Sequence, residues 1–182
     1  MVNSRKIILI PGAFQTVRNY GNYNGVDIWL KNEPEKEFSN PDYVIAHSLG
    51  VNFALTLPNL KNCKFVFINP VIEKVSFINL IIKDIKFLFL EGIKIEKIVP
   101  FSNWIYSFKK CRQLSKINVL EEIKKLPKEN ITIIKGVKDD YFCDKKSAEI
   151  IKREGWRLIE IGAGHDWDQN IAEAVDKIIG EN

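Results

Sequence analysis

Short apolar runs alternate along this chain with longer stretches in which apolar positions recur every three or four residues. The short runs read as strands: Lys6–Ile10, Val26–Leu30, Asp42–Ala46, Lys64–Ile68, Ile131–Lys135 and Trp156–Ile161. They are apolar at consecutive positions, the pattern of strands covered on both faces. A helix-like segment follows at Leu49–Leu57, and the last helix is predicted from about Asp168 to Ile179. Strands and helices in turn predict an α/β fold with a mostly parallel sheet between helical layers. Ligands of such sheets bind beyond the carboxyl ends of the strands, so the place to look for chemistry is just after each one.

One stretch breaks the alternation. From Val71 to about Leu126 the pattern predicts two or three helices and no strand, one helix carrying Phe77, Ile81, Ile85, Leu88 and Phe89 on one face. Inserted between two strands, residues 71–126 would form a cap over the carboxyl edge of the sheet; the alternative is a pair of crossover helices packed on the sheet. No repeat or low-complexity tract divides the chain, so 1–182 reads as one domain, long enough to bury roughly 70% of its unfolded surface.

Composition narrows the function classes. The chain is 46% hydrophobic and 27% charged, ordinary for a globular protein. Its net charge of +4 comes from scattered lysine pairs such as Lys109–Lys110, with no basic stripe interleaved with aromatics, so nucleic acid is not an expected partner. Three cysteines without a C-x-x-C argue against a disulfide framework or a zinc site and for reduced thiols in the cytoplasm. Cys143 reads as buried filler. The run Ile7–Ile10, stopped by Pro11–Gly12, is too short for a signal-peptide core. No run reaches the roughly 20 apolar residues of a membrane span. Phe77–Leu90, interrupted by Lys83, Asp84 and Lys86, could touch a membrane surface, although a cap helix explains the same pattern.

Candidate chemistry follows the strands. In D-Y-V-I-A-H-S-L-G, residues 42–50, a strand runs into a small residue, then x-Ser-x-Gly, then a helix. This is the setting of a nucleophile elbow, where a strained turn lifts a serine hydroxyl clear of the sheet and the flanking small residues, here Ala46 and Gly50, allow the chain to close up. Ser48 is thus the candidate nucleophile, and the N–H of Leu49, at a helix N-terminus, is a candidate donor to an oxyanion. The alternative is a serine that merely caps a helix. In I-P-G-A-F, residues 10–14, the N–H of Ala13 is the second candidate donor, with Phe14 its neighbour as the alternative. I-G-A-G-H-D-W, residues 161–167, places His165 on a strand-end loop as general base. The only other histidine, His47, adjoins Ser48, and neighbouring side chains in a sharp elbow point apart. After Gly136 come Asp139 and Asp140, of which Asp139 is favoured as the carboxylate orienting His165; Asp144 and Asp166 read as surface groups or helix caps.

Ser, Asp and His in that order, each past a strand, resemble the α/β-hydrolase family, and the resemblance spans I-P-G-A-F, A-H-S-L-G, G-V-K-D-D and G-A-G-H. Departures are Ala46 for the first glycine of G-x-S-x-G and Pro11 for the histidine before Gly12. The early first strand leaves no room for the family's first two, so about six strands are expected, with helices on both faces and a small helical cap. The resemblance implies a serine hydrolase that transfers an acyl group to water without metal or organic cofactor. Carboxylic esters are the default substrates; thioesters, amides or a catalytically silent binding module on the same fold are alternatives. Aromatic residues of the insertion (Phe101, Trp104, Tyr106, Phe108), with Phe14, His47 and Trp167, suggest an apolar pocket for a small acyl substrate. The chain is expected to be a monomer or a homodimer.

Overall fold

The computed structural model describes residues 5–31, 40–58, 63–90 and 95–180, with the backbone alone for residues 88, 90 and 95. Five strands form one sheet: β1 (Ile7–Ile10), β2 (Tyr43–His47), β3 (Lys64–Ile68), β4 (Ile131–Gly136) and β5 (Arg157–Ile161). All pairings are parallel and the spatial order is that of the sequence, β1-β2-β3-β4-β5. Consecutive apolar residues split between two cores: Ile8, Ile10, Val44, Ala46, Phe65, Phe67, Ile131 and Ile133 face one, Leu9, Tyr43, Ile45, Val66, Ile68 and Ile134 the other. Period-two geometry thus explains why the strands read as unbroken hydrophobic runs.

A sheet that grows in one direction through right-handed crossovers puts its connections on one side. Accordingly α1 (Gly50–Ala54), α3 (Trp104–Leu114), α4 (Val119–Ile123) and α5 (Lys145–Glu154) feed the first core through Val51, Cys111, Leu114, Ile123 and Ile151. The second face is covered by α6 (Gln169–Gly180), through Ile171, Val175 and Ile178, and by Tyr20 and Trp167. Asn118 caps α4 and Asp144 caps α5, while Gly155 closes α5 in the left-handed conformation.

The expected sixth strand is reduced to a single bridge. Leu9 pairs with Gly25 in parallel, with Leu9 N–H donating to Asn24 and Val26 N–H to Leu9. The chain then turns at once, Ile28 N–H bonding to the Val26 carbonyl, so Val26–Leu30 is apolar and buried without forming a ladder. Its apolar pattern reflects burial of Val26, Ile28 and Trp29 beside β1, not strand structure. The helix expected at 49–57 is also shorter, ending at Ala54.

Between β3 and β4 the described residues contain no strand. The segment carries α2 (Phe77–Leu90), α3 and α4. On α2 Leu80 and Phe87 are buried, while Ile85 is 48% and Phe89 85% exposed. The Leu88 side chain lies outside the described residues. The insertion is bound to the loop after β1: Gln15 bridges antiparallel to Ile98, Val99 N–H donates to Phe14 O, and Asn19 Nδ2 donates to Lys97 O. No described helix is long and apolar enough to cross a membrane.

Candidate active site

The carboxyl ends of all five strands contribute to one cluster, as parallel α/β sheets dictate. After β2 the chain turns so sharply that Ser48 takes a positive φ of 50°, a strained state for a residue with a Cβ. The turn is held by Ser48 N–H donating to Ile68 O at 2.8 Å and Val51 N–H donating to Ser48 O at 3.0 Å. Gly50 must be glycine because a Cβ there would lie 2.6 Å from Pro11 O and 2.7 Å from Ile10 O. The crowding that demands a small residue thus comes from the end of β1.

Ser48 Oγ lies 2.9 Å from His165 Nε2, and His165 Nδ1 lies 2.7 Å from Asp139 Oδ2. Three side chains spread over 117 positions are joined in one hydrogen-bonded row, and all three are buried. Asp139 also accepts N–H groups from Tyr141 (3.1 Å) and Phe142 (3.0 Å) on Oδ1 and from Cys143 (3.1 Å) on Oδ2. Burial alone would raise its pKa; the adjacent imidazole and these donors outweigh burial and hold it at about 2. Asp139 is therefore a carboxylate at neutral pH, facing the imidazole, while Asp140 is exposed. The His165 ring is flanked by Phe142 and by Phe87, with centroids 4.2 Å and 5.4 Å away, the Phe87 plane nearly perpendicular to it.

The two candidate oxyanion donors are uncommitted: neither Ala13 N–H nor Leu49 N–H meets an acceptor among the described residues. Phe14, at φ 57°, sets the bend of that loop.

Residues that the sequence did not single out hold the cluster together. Asn69, just past β3 and left-handed at φ 45°, donates Nδ2–H to Gly164 O (3.0 Å) and His165 O (2.9 Å) and accepts Gly136 N–H on Oδ1 (2.8 Å). It ties the ends of β3 and β4 to the His165 loop. Its only sequence signal is Asn-Pro at a strand end, which any turn would share. Where β4 meets that loop a Cβ on Gly136 would stand 2.2 Å from Gly164 O, so a side chain has no room. Tyr20 is buried; its hydroxyl accepts Gly12 N–H at 2.8 Å and bonds to Gln15 Oε1, whose Nε2 donates to Asp166 at 2.8 Å.

Three expectations need correction. His47 is buried: its Nε2 meets His165 O at 2.8 Å and its Nδ1 meets Tyr20 Oη at 2.7 Å, so it stands behind the row. Trp167 belongs to the opposite core, 4.9 Å from Tyr20 and 6.0 Å from Tyr23, because the loop after His165 reverses sides. Asp166 is no cap or free surface group; it pairs with Lys97 at 2.7 Å and accepts from Gln15.

Phe14 and Trp104, by contrast, line a cavity of about 210 Å³ together with Ala13, Ile81, Asp84 and Phe87. Its walls touch the loop after β1 and the ring edge against His165. No cluster of three or more His, Cys, Asp or Glu able to hold a metal occurs among the described residues. Cys63, Cys111 and Cys143 are buried free thiols.

The fold is that of the α/β hydrolases. Similar solved structures include an esterase of Pyrococcus furiosus, with TM-score 0.55 and 21% identity, covering 98% of this chain and 81% of that one. A thioesterase domain from the curacin biosynthetic pathway matches with TM-score 0.59 and 11% identity over 97% and 91%. An esterase domain from a Rhodothermus marinus protein matches with TM-score 0.55 and 12% identity over 99% and 88%. No protein-family model matches the chain, and no curated protein matches it in sequence.

Proposed function

We propose that the protein is a serine hydrolase that cleaves carboxylic esters of small acyl groups through an acyl-enzyme. The observation that carries this reading is the row Ser48 Oγ–His165 Nε2 (2.9 Å) and His165 Nδ1–Asp139 Oδ2 (2.7 Å). His165 takes the Ser48 proton as Oγ attacks the carbonyl carbon, and the resulting oxyanion receives the N–H groups of Ala13 and Leu49. Collapse breaks the bond to the leaving oxygen, which collects the proton from His165; water then repeats the cycle and frees the acid. Asp139 keeps the imidazole in the right tautomer and balances its charge. No metal or organic cofactor enters these steps.

Residues 71–126 act in this reading as a cap within one domain, since α2 and α3 supply most of the cavity wall. The largely apolar lining favours a hydrocarbon stretch of the acyl group near the reacting carbon. Esters are chosen over thioesters because two of the structural neighbours above are esterases and one a thioesterase. Three reduced thiols fit a cytoplasmic protein.

Labelling with a fluorophosphonate probe, beside a series of p-nitrophenyl esters of increasing chain length, tests the proposal. Wild-type protein is expected to be labelled and to turn over short and medium esters, and Ser48→Ala to do neither. Absence of labelling overturns it in favour of a silent binding module, and labelling that persists in Ser48→Ala overturns Ser48 as the nucleophile.

A further inference from the structure

We propose that the cavity bounded by Ala13 and Phe87 receives an organic cation, an alkylammonium group carried by the substrate, held between the Asp84 carboxylate and the rings of Phe14, Phe87, Trp104 and Phe108. The inference rests on the hydrolase reading above and adds the charge of the substrate to it.

Asp84 is the one charged residue lining the cavity, and its carboxylate has no hydrogen bond or ion pair among the described residues. Gln15, the other polar lining residue, is committed to Tyr20 and Asp166. An unpaired carboxylate in an apolar wall is costly. Burial pushes Asp84 up to about 7, opposed only in part by the His165 imidazole. The titratable groups that feel its charge are His165 and, from α3, Cys111; no cation pairs with it among the described residues. A half-buried position in an apolar wall with no function would hold leucine or asparagine at lower cost. A partner that arrives with the substrate removes the penalty.

The surrounding rings fit the same ligand. Phe14 meets Phe108 at 4.9 Å and 68°, and Trp104 at 6.3 Å and 77°. Rings set nearly perpendicular build a corner that presents π faces and edges to one space, and aromatic faces attract ammonium groups. Phe87 joins this corner to the reaction centre, its ring centroid 5.4 Å from that of His165 and the planes nearly perpendicular. A cavity of about 210 Å³ suits a trimethylammonium group on a short linker.

Two p-nitrophenyl esters of equal shape separate charge from size: the 4-(trimethylammonio)butanoate and the 5,5-dimethylhexanoate. At pH 8.5, where Asp84 is ionised, wild-type protein is expected to favour the cationic ester by about tenfold or more in kcat/KM. Asp84→Asn is expected to bring that ratio near one, and Phe108→Leu to lower it severalfold. Turnover of both esters by wild-type protein without preference for the cation overturns the proposal and leaves the hydrolase reading standing. Calorimetric binding of choline against 3,3-dimethylbutan-1-ol needs no turnover. Tighter binding of choline by wild-type protein, lost in Asp84→Asn, supports the cation site even in a protein that hydrolyses nothing. Equal or no binding of the two overturns it.

Discussion

His47 and His165 are joined back to back, the Nε2–H of His47 donating to the backbone carbonyl of His165 at 2.8 Å. A carbonyl can only accept, so that nitrogen carries a hydrogen, and Nδ1 on the other side of the ring meets the Tyr20 hydroxyl at 2.7 Å. Tyr20 in turn holds Gly12 N–H. One hydrogen-bonded path therefore runs from the loop of His165 to the loop that offers Ala13 N–H, and His47 is its midpoint.

That burial makes His47 a source of acid sensitivity. Burial first, then the nearness of His165, depresses it to about 4, against about 6.5 in an unfolded chain. The unfolded state therefore binds the proton first, so stability from this group is complete above pH 6.5 and is lost as pH falls toward 4. Thermal melts of wild-type protein should drop across that window, and melts of His47→Gln should drop less. A difference between the two proteins that is constant from pH 7 to pH 4.5 contradicts the assignment.

Asp84 has the opposite sign. Its carboxyl is raised to about 7, so as pH rises the unfolded chain ionises first and the fold is penalised between about pH 4 and 7, fully above 7. Asp84→Asn is expected to gain about 1–3 kcal/mol at pH 8, less than the full shift because the side chain is half-buried, and close to nothing at pH 4. Urea unfolding at the two pH values checks this.

Asp139→Asn keeps an oxygen for the N–H groups of Tyr141 and Phe142 but cannot impose the same tautomer on His165. Ester turnover should fall on the order of 10³–10⁴ in kcat with the fold retained. A loss below tenfold would mean that the carboxylate only supports its own loop.

Removal of the Asn69 side chain strips three hydrogen bonds and leaves Gly136 N–H buried without its partner. Asn69→Ala is expected to cost about 2–4 kcal/mol in unfolding experiments. It should also slow ester turnover, since the His165 carbonyl keeps only the bond from His47. Stability within 0.5 kcal/mol of wild type, a margin typical of bland surface changes, would show that the latch carries no weight.

The pattern of apolar runs was enough to place Ser48, Asp139 and His165, because each lies within a few residues of a strand end and a parallel sheet gathers those ends on one edge. Asp139 and Asp140 differ only in which way a turn presents them, and the fold resolves that by burying one and exposing its neighbour. What stayed hidden depends on direction rather than composition. Trp167 is as aromatic as Trp104, yet the reversal after His165 turns it to the other face. Val26–Leu30 looks like a strand because it is buried, although its carbonyls and amides turn on themselves. Asn69 and Tyr20 act through side-chain hydrogen bonds to residues distant in sequence, which no local periodicity records. On α2 the apolar residues outnumber the places to bury them, so Ile78, Ile82 and Phe89 remain outside and the sequence could not say which face turns inward.

Because the strands lie side by side in the order in which they are made, the site is assembled from one edge to the other as the chain is synthesised. A chain that stops between Cys143 and β5 carries the hydroxyl of Ser48 and the carboxylate of Asp139, but not the imidazole of His165 that stands between them. Truncated products of this gene are therefore expected to carry an inert serine, and the appearance of reactivity in a timed translation reports arrival of the last strand and its loop.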